Sequence, residues 1–284
     1  MTTQGQESKG LVAASVRCGL GNRMFHVMAA AGAAEKSGRQ LVFFLPRLYD
    51  QHHGHFTALF RMFPQIPILE SFPEWAEHSE DSNQQFSSLT ITSELSPLVV
   101  LKGNLQNCDN FPSNPSYYPV LPSPLPPLRP SWAIHFRFGD FKILPHHRHS
   151  LGPYYAQLLK SKVPNQSTPL TLFSDEPERL EKIAKEFESL GYSHVTIIRE
   201  SDPIQTFKIF SSCQGGAICS NSTFAWWGAF FAWQREKSSK YKAYFPSRFM
   251  PNERPYNLFT LPFTQAVEVE ALPAEPSIKS FSYE

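Results

Sequence analysis

Short apolar runs alternate with helical segments along most of this chain, and this alternation restricts the possible fold more than any other sequence feature. Strands that are separated by helices pair in parallel, because a parallel connection needs a crossover long enough to hold a helix. The sequence therefore predicts an α/β fold. The strands are predicted at residues 11–16, 41–45, 98–101, 132–136, 170–173, 194–198, 217–219 and 242–245.

Helices are predicted where apolar residues recur every three or four positions. One follows the glycine-bearing turn at residues 18–21 and stops at Gly38, and another spans residues 178–190. A third begins after Asp202, and an aromatic helix at residues 224–233 is apolar on all sides, which indicates burial. Residues 46–86 show no clear period and are interpreted as loops with short helices.

Proline is over-represented and marks a domain boundary. The chain has 25 prolines in 284 residues, about 9% against a usual ~5%. Six of them lie in residues 119–130, where fixed backbone angles and missing amide donors exclude a helix or a central strand. We therefore predict four parts. They are an N-terminal Rossmann-like domain at residues 1–120, a linker at 121–130, a second Rossmann-like domain at 131–261 and a C-terminal tail at 262–284.

The composition excludes several classes of protein. The net charge of +1 provides no broad cationic surface for nucleic acid or acidic membranes. No segment reaches the ~18 apolar residues of a membrane span, and the first ten residues lack a hydrophobic signal region. A soluble, cytoplasmic protein is therefore expected, unless the chain is a catalytic domain trimmed from an anchored Golgi-type enzyme.

Cysteine and histidine give no metal signature. Cys18, Cys108, Cys213 and Cys219 have no CxxC spacing and are predicted to be buried free thiols. The histidine groups at residues 52–55 and 146–149 lie in loops without helical spacing, so we expect them to be solvated rather than metal ligands. The second group could also line an acceptor site.

Four loops follow predicted strands, where open α/β sheets bind their ligands. The first, at residues 17–23, has Gly19 and Gly21 but Met24 where a dinucleotide motif places its third glycine, so a nicotinamide site is disfavoured. Asn22 could hydrogen-bond a ligand there, or it could simply belong to a tight turn that caps a helix.

The other three loops carry groups suited to an anion. Arg137 at a strand end could bind a phosphate with two hydrogen bonds, or it could pair with Asp140 to fix the turn. Ser222 and Thr223 could bind an anion at a helix start, although Asn221 or Ser222 would also serve as an ordinary cap.

Asp175 could accept hydrogen bonds from a base or a ribose, or cap the following helix. An arginine and a helix start, without a nearby pair of acidic residues, would neutralise a diphosphate with protein groups rather than metal. This is the logic of a metal-independent nucleotide-sugar transferase.

Five segments in order then resemble one family. Residues 19–25 (GLGNRMF) are similar to GLGNQMF, residues 103–111 to GYFQS followed by Phe, and residues 135–141 (HFRFGDF) to HxRRGDY. Residues 173–176 (FSDE) resemble FSDD, and residues 220–229 (SNSTFAWWGA) resemble ANSSFSWWGAW. Over roughly residues 11–250 the chain thus resembles the GDP-fucose-dependent α-1,2-fucosyltransferases, glycosyltransferase family 11.

This resemblance implies a GT-B-like fold, with two Rossmann-like domains facing a cleft and the first on the acceptor side. It implies GDP-β-L-fucose as donor, a glycan acceptor such as the 2-OH of a galactose-like unit, inversion at the anomeric carbon, and no metal or cofactor. It suggests neither nucleic acid as a partner nor an oligomeric state.

The resemblance also implies roles for individual residues. Arg137 would bind the β-phosphate, and Asn22 would lie near the reacting centre, with Asp140 as the first candidate for the general base or as an orienting group for Arg137. The remaining donor-binding positions are His135, Ser174, Asp175, Asn221, Ser222 and Thr223.

Two departures from the family pattern leave alternatives open. Phe138 replaces the second arginine of the motif, and Arg23 replaces a glutamine and is hypothesised to supply the missing charge. A transferase with the same scaffold but another GDP-sugar fits these departures, and so does a catalytically silent protein that binds glycans or nucleotides.

Overall fold

The computed structural model describes residues 10–48, 56–73, 77–82, 91, 96–103, 105–236, 239–251 and 261–283. The described residues form two compact units, which are divided in the sequence between Pro122 and Ser123. None of the helices described is long and apolar enough to cross a membrane.

The elements of the first unit are β1 (Leu11–Ala14), α1 (Leu20–Ser37), β2 (Gln40–Leu41), β3 (Phe43–Phe44), α2 (Phe56–Met62), β4 (Ile68–Leu69), β5 (Glu77–Ser82) and β6 (Leu98–Gly103). Four of the strands form a parallel sheet in the order β2-β1-β6-β5. A separate parallel pair joins β3 to β4.

Most predictions for this unit are confirmed. Strands β1 and β6 and helix α1 lie where the apolar pattern placed them, and α1 ends at Gly38, whose left-handed backbone (φ 67°) lets its amide bond the last turn. The predicted strand at residues 41–45 is instead divided at Val42 between the main sheet and the β3–β4 pair. Strand β5 was not expected, because its sequence EHSEDS is polar throughout and it lies at the sheet edge.

The elements of the second unit are β7 (Trp132–Phe136), α3 (Leu151–Lys162), β8 (Leu170–Ser174), α4 (Leu180–Ser189), β9 (Val195–Ile197), α5 (Pro203–Ser212), β10 (Gly216–Cys219), α6 (Thr223–Glu236), β11 (Ala243–Pro246) and β12 (Thr264–Val267). Its six strands form one parallel sheet in the order β12-β11-β10-β7-β8-β9. Two parallel-sheet units confirm the predicted α/β class and supply the two sheets that a GT-B-like fold requires.

The strand order of the second unit contains a switch of direction. From β7 the chain builds β8 and β9 on one side, and then returns to place β10, β11 and β12 on the other side. The switch therefore lies between β7 and β10, which pair in parallel from Trp132↔Gly216 to His135↔Cys219. Ligands of open α/β sheets bind outside the carboxyl ends of the strands at such a point.

Side chains of β7 and β8 alternate between two buried faces. Ile134 and Phe136 lie in a core cluster with residues of α3 and α4, including Phe187. On the other face, Phe173 contacts Phe210 of α5 with ring centroids 4.7 Å apart. The all-apolar helix α6 is buried as predicted, with Trp226 and Trp227 fully inaccessible.

The expected C-terminal tail is instead part of the second unit. Residues 264–267 form β12 on the sheet edge, and Ile278 and Tyr283 are buried in the core cluster. The carboxylate of Glu186 in α4 accepts the backbone amides of Lys279 and Ser280, each at 2.8 Å. The sequence did not predict that this segment packs on the second unit, because its buried apolar residues are widely spaced and show no helical or strand period.

The cysteines follow the prediction in part. All four are free thiols; Cys108, Cys213 and Cys219 are buried, whereas Cys18 is exposed in the turn before α1.

We predict that Ile278→Ala lowers the unfolding free energy by about 2–5 kcal/mol, because it leaves a cavity where a fully buried side chain packed. Urea unfolding followed by circular dichroism measures this loss. The matched control is Leu190→Ala, at an exposed leucine, with an expected change within about 0.5 kcal/mol. Equal unfolding midpoints for Ile278→Ala and wild type would show that the C-terminal segment does not stabilise the unit.

Candidate active site

Arg137 follows β7 directly and lies between two carboxylates. Its Nε and Nη2 atoms donate to Oδ1 of Asp140 at 3.1 and 2.8 Å. Its Nη1 atom lies 3.0 Å from Oδ2 of Asp175. The two hydrogen bonds to Asp140 use two of the five N–H groups of the guanidinium, and the contact with Asp175 is an ion pair. The side chain makes no further hydrogen bond within the described chain and is 30% exposed, so the group can still bind an anion.

Asp175 follows β8 and contacts the turn after β7 through both carboxylate oxygens. Its Oδ1 atom accepts the Phe138 amide at 3.0 Å, while Oδ2 pairs with Arg137. Gly139 passes so close that a Cβ atom there would lie 2.2 Å from Oδ2 of Asp175. A glycine at 139 is therefore required for this arrangement.

His135 occupies the last part of β7 and is buried. Its Nδ1 atom lies 3.0 Å from the Oγ atom of Ser220, which follows β10. Burial lowers the pKa of His135 to about 3, and the positive charge of Arg137 adds to the effect. The imidazole is therefore neutral at physiological pH. Its backbone carbonyl accepts the Tyr155 hydroxyl at 2.7 Å and the Ser220 amide at 3.1 Å.

The loop between β10 and α6 is fixed by Asn221. This buried residue donates from Nδ2 to the carbonyls of His147 at 2.9 Å and Phe249 at 2.6 Å, so its amide joins three loops. Ser222 Oγ accepts the Ala225 amide at 3.4 Å, which is an ordinary helix cap. The structure thus shows a capped helix start, with Ser222 partly exposed and Thr223 buried. The predicted role of this helix start toward an anion stays a prediction.

Further charges surround these groups. Glu176 Oε2 lies 2.5 Å from Lys142 Nζ and 3.6 Å from Arg179 Nη1. Ser174 Oγ accepts the Glu176 amide at 3.0 Å, so its hydroxyl serves the turn after β8. The cluster as a whole is balanced rather than cationic. Its members are three basic residues (Arg137, Lys142 and Arg179) and three carboxylates (Asp140, Asp175 and Glu176).

Phe138, at the position of the missing second arginine, faces the core. It is 1% exposed and lies parallel to Phe136 at a centroid distance of 6.2 Å. Phe281 of the C-terminal segment packs on it at 5.5 Å. The guanidinium carbon of Arg179 stands 4.4 Å above its ring, in a cation–π contact. Position 138 therefore supplies packing to this site and no charge.

His146 is exposed as expected, whereas His147 and His149 differ from the expectation of solvated side chains. His149 is buried, with Nε2 3.0 Å from the Arg248 carbonyl oxygen and Nδ1 3.4 Å from Glu270. His147 is half-buried and stacks on Phe141 at 5.1 Å. Both rings pack because the start of α3 and the loop after β11 lie against them. Residues 52–55 fall outside the described chain.

Asn22 and Arg23 belong to the first turn of α1 in the first unit. Asn22 is partly exposed, whereas Arg23 is fully buried. The neighbouring His26 is also buried, and burial, with Arg17 and Arg23 contributing, lowers its pKa to about 3. The predicted roles of Asn22 and Arg23 toward a donor stay predictions.

Several residues of the site were not expected from the sequence. Tyr155, Lys142 and Arg179 carry no motif signal, since helical or loop residues of these types are common. Glu176 and Gly139 lie inside the matched motifs, so their neighbourhood was indicated but their contacts were not. No cluster of three or more histidine, cysteine or acidic side chains suited to a metal ion occurs among the described residues.

No protein-family model matches the chain, and no curated protein matches it. Among solved structures, the chain is similar to POFUT1 crystallised in complex with GDP, with a TM-score of 0.47 and 11% sequence identity. The match covers 84% of this chain and 98% of that chain. Function does not follow from a similarity of fold at this level.

The buried, neutral His135 predicts a pH dependence of stability. Because its pKa is about 3 in the folded protein and 6.5 ordinarily, the unfolded chain binds a proton that the folded protein excludes. The stabilising contribution of His135 is therefore full above pH 6.5 and falls as the pH drops toward 3, by up to about 1.4 kcal/mol per pH unit. His135→Gln should show a smaller slope between about pH 4.5 and 6.5, measured by urea unfolding. His194→Gln, at an exposed histidine, should retain the wild-type slope.

The packing of Phe138 predicts that an arginine at this position destabilises the protein. Phe138→Arg would bury a guanidinium next to that of Arg179 and should cost more than about 3 kcal/mol. Phe138→Leu keeps an apolar side chain and should cost about 1–2 kcal/mol. Urea unfolding measures both values. A Phe138→Arg variant as stable as wild type would show that this side chain can reach solvent.

Proposed function

We propose that the protein is an inverting glycosyltransferase that moves L-fucose from GDP-β-L-fucose to a sugar hydroxyl, such as the 2-OH of a galactose-like unit. One observation carries this proposal. Arg137, whose guanidinium makes hydrogen bonds only to Asp140 within the described chain, and the start of α6 follow the paired strands β7 and β10, at the switch point of a parallel sheet. The resemblance of five segments to family 11 supports GDP-fucose as the donor.

Binding of the donor would use the groups at the strand ends. The guanidinium of Arg137 suits a phosphate through paired N–H groups, and the α6 start adds the hydroxyls of Ser222 and Thr223. His135 is neutral and therefore offers hydrogen bonding rather than charge to a nucleoside. Ser174 and Asp175 are proposed near the guanosine, and Asn221 holds the loop that carries Ser222.

The reaction follows from these positions. The acceptor hydroxyl oxygen attacks C1 of fucose, and the bond from C1 to the diphosphate oxygen breaks, so that GDP leaves with the bonding electrons. Arg137 and the helix start stabilise the negative charge that develops on the leaving group, without a need for a metal ion. Asp140 is proposed to accept the hydroxyl proton, since its carboxylate is partly exposed beside Arg137.

A second candidate function is supported by the position of Phe138. Because this residue is buried, the turn after β7 supplies a single guanidinium where the family motif has two. A catalytically silent protein that binds a nucleotide or glycan would need no second cation. A transferase for another GDP-sugar would share the same diphosphate site.

A transfer assay tests the proposal. Incubation with GDP-fucose and a panel of glycan acceptors, in the presence of EDTA, should release GDP and yield a fucosylated product. Arg137→Ala should lower the rate by about 100-fold or more, as expected for loss of a group that stabilises the transition state. The matched control is Arg199→Ala, which removes an exposed arginine paired with Glu181 after β9 and should leave the rate unchanged.

Other results of this assay would point elsewhere. GDP binding without transfer from any GDP-sugar would favour the silent binding protein. Transfer from a different GDP-sugar alone would support the proposed type of reaction and would show that the donor is not GDP-fucose. Product linkage determined by NMR then tests the 2-OH assignment.

A further inference from the structure

We propose that the two carboxylates on Arg137 have separate roles when a diphosphate binds. Asp175 is a fixed positioning residue that holds Arg137, whereas Asp140 is the exchangeable partner that the diphosphate replaces. This inference rests on the proposed function, because it concerns how the same site takes up its anionic donor.

Asp175 is held from several directions. Both of its oxygens are engaged, one by the Phe138 amide at 3.0 Å and one by Arg137 at 3.0 Å. Ser174 Oγ also lies 3.3 Å from Oδ1. Its side chain is 22% exposed, and the missing side chain at Gly139 leaves just enough room for it. Displacing Asp175 would break contacts to a backbone amide as well as to the guanidinium, so an incoming anion would replace it only at a high cost.

Asp140 makes fewer contacts than Asp175. Both hydrogen bonds from Arg137 converge on Oδ1, and Oδ2 has no partner within the described chain. The side chain is 43% exposed and stands three residues after Arg137, in the short helical turn at Gly139–Lys142. A rotation about its side-chain bonds moves this carboxylate into water without disturbing another contact. Exposed ion pairs of this kind contribute about 0.2–1 kcal/mol.

The exchange has a consequence for the proposed reaction. When diphosphate oxygens accept the hydrogen bonds of Nε and Nη2, Asp140 is released as an unpaired carboxylate. The carboxylate then no longer contacts the guanidinium and can turn toward the acceptor hydroxyl. The donor is therefore expected to bind before the acceptor reacts.

Calorimetric titration of GDP into the full chain distinguishes the two carboxylates. Asp140→Asn removes a competitor for Arg137 and should tighten GDP binding by about 1.5- to 5-fold, the value of an exposed ion pair. Asp175→Asn loosens Arg137 and should weaken GDP binding by about tenfold. Glu178→Gln, which removes an exposed carboxylate from the same loop as Asp175, should alter the affinity by less than about twofold.

A second variant and a second readout protect the test against a folding defect. Gly139→Ala places a Cβ atom 2.2 Å from Oδ2 of Asp175 and should weaken GDP binding as Asp175→Asn does. If Asp175→Asn does not fold, Gly139→Ala takes its place. In the transfer assay, Asp140→Asn should lower kcat while GDP affinity rises, a combination that a merely structural role would not produce.

The outcomes separate this inference from the proposed function. Opposite changes in GDP affinity for Asp140→Asn and Asp175→Asn support the division of roles. Equal weakening by both substitutions overturns it and leaves the proposed donor site intact. Failure of the wild-type protein to bind GDP overturns the proposed function, and the exchange with it.

Discussion

The parallel pairing of β7 with β10 brings together the two strand ends around which the candidate active site is built. This pairing brings the carboxyl end of β7, with His135 and Arg137, beside the loop that leads into α6. It depends on Gly216, where a Cβ atom would approach the Trp132 ring to 2.8 Å and where the backbone angle φ is +140°. A larger residue at this position would separate the strands whose ends form the site.

The candidate active site contains as many carboxylates as basic groups and therefore has no excess of positive charge. Three basic groups and three carboxylates balance one another around the turn after β7, so the unit presents no strong cationic field. Selectivity for a diphosphate would come from the positions of the N–H donors of Arg137 and of the α6 start, rather than from net positive charge. A neutral, buried His135 fits this pattern, because a second full charge beside Arg137 would be costly to bury.

The sequence predicted the class of fold and the main strand-end loops, because apolar periodicity and glycine or proline positions report local structure directly. It located Arg137, Asp140 and Asp175 within motifs and left open a pairing of Arg137 with Asp140, which the structure shows. It did not predict the contact of Arg137 with Asp175. It missed β5 and β12, whose short edge strands lack an apolar pattern, and the burial of His149, which depends on distant loops. Contacts between segments far apart in the sequence leave no periodic trace, so side-chain direction at such positions is available only from the folded chain.

The packing around Phe138 limits which residues can occupy position 138. Its ring packs between Phe136 and Phe281 and lies beneath the guanidinium of Arg179, so side chains from three segments pack on one aromatic ring. A single exchange to arginine would meet a partner of like charge and a filled core. An arginine at this position would therefore require accompanying changes at Arg179 and Phe281, so the residue at 138 is coupled to the residues at two distant positions.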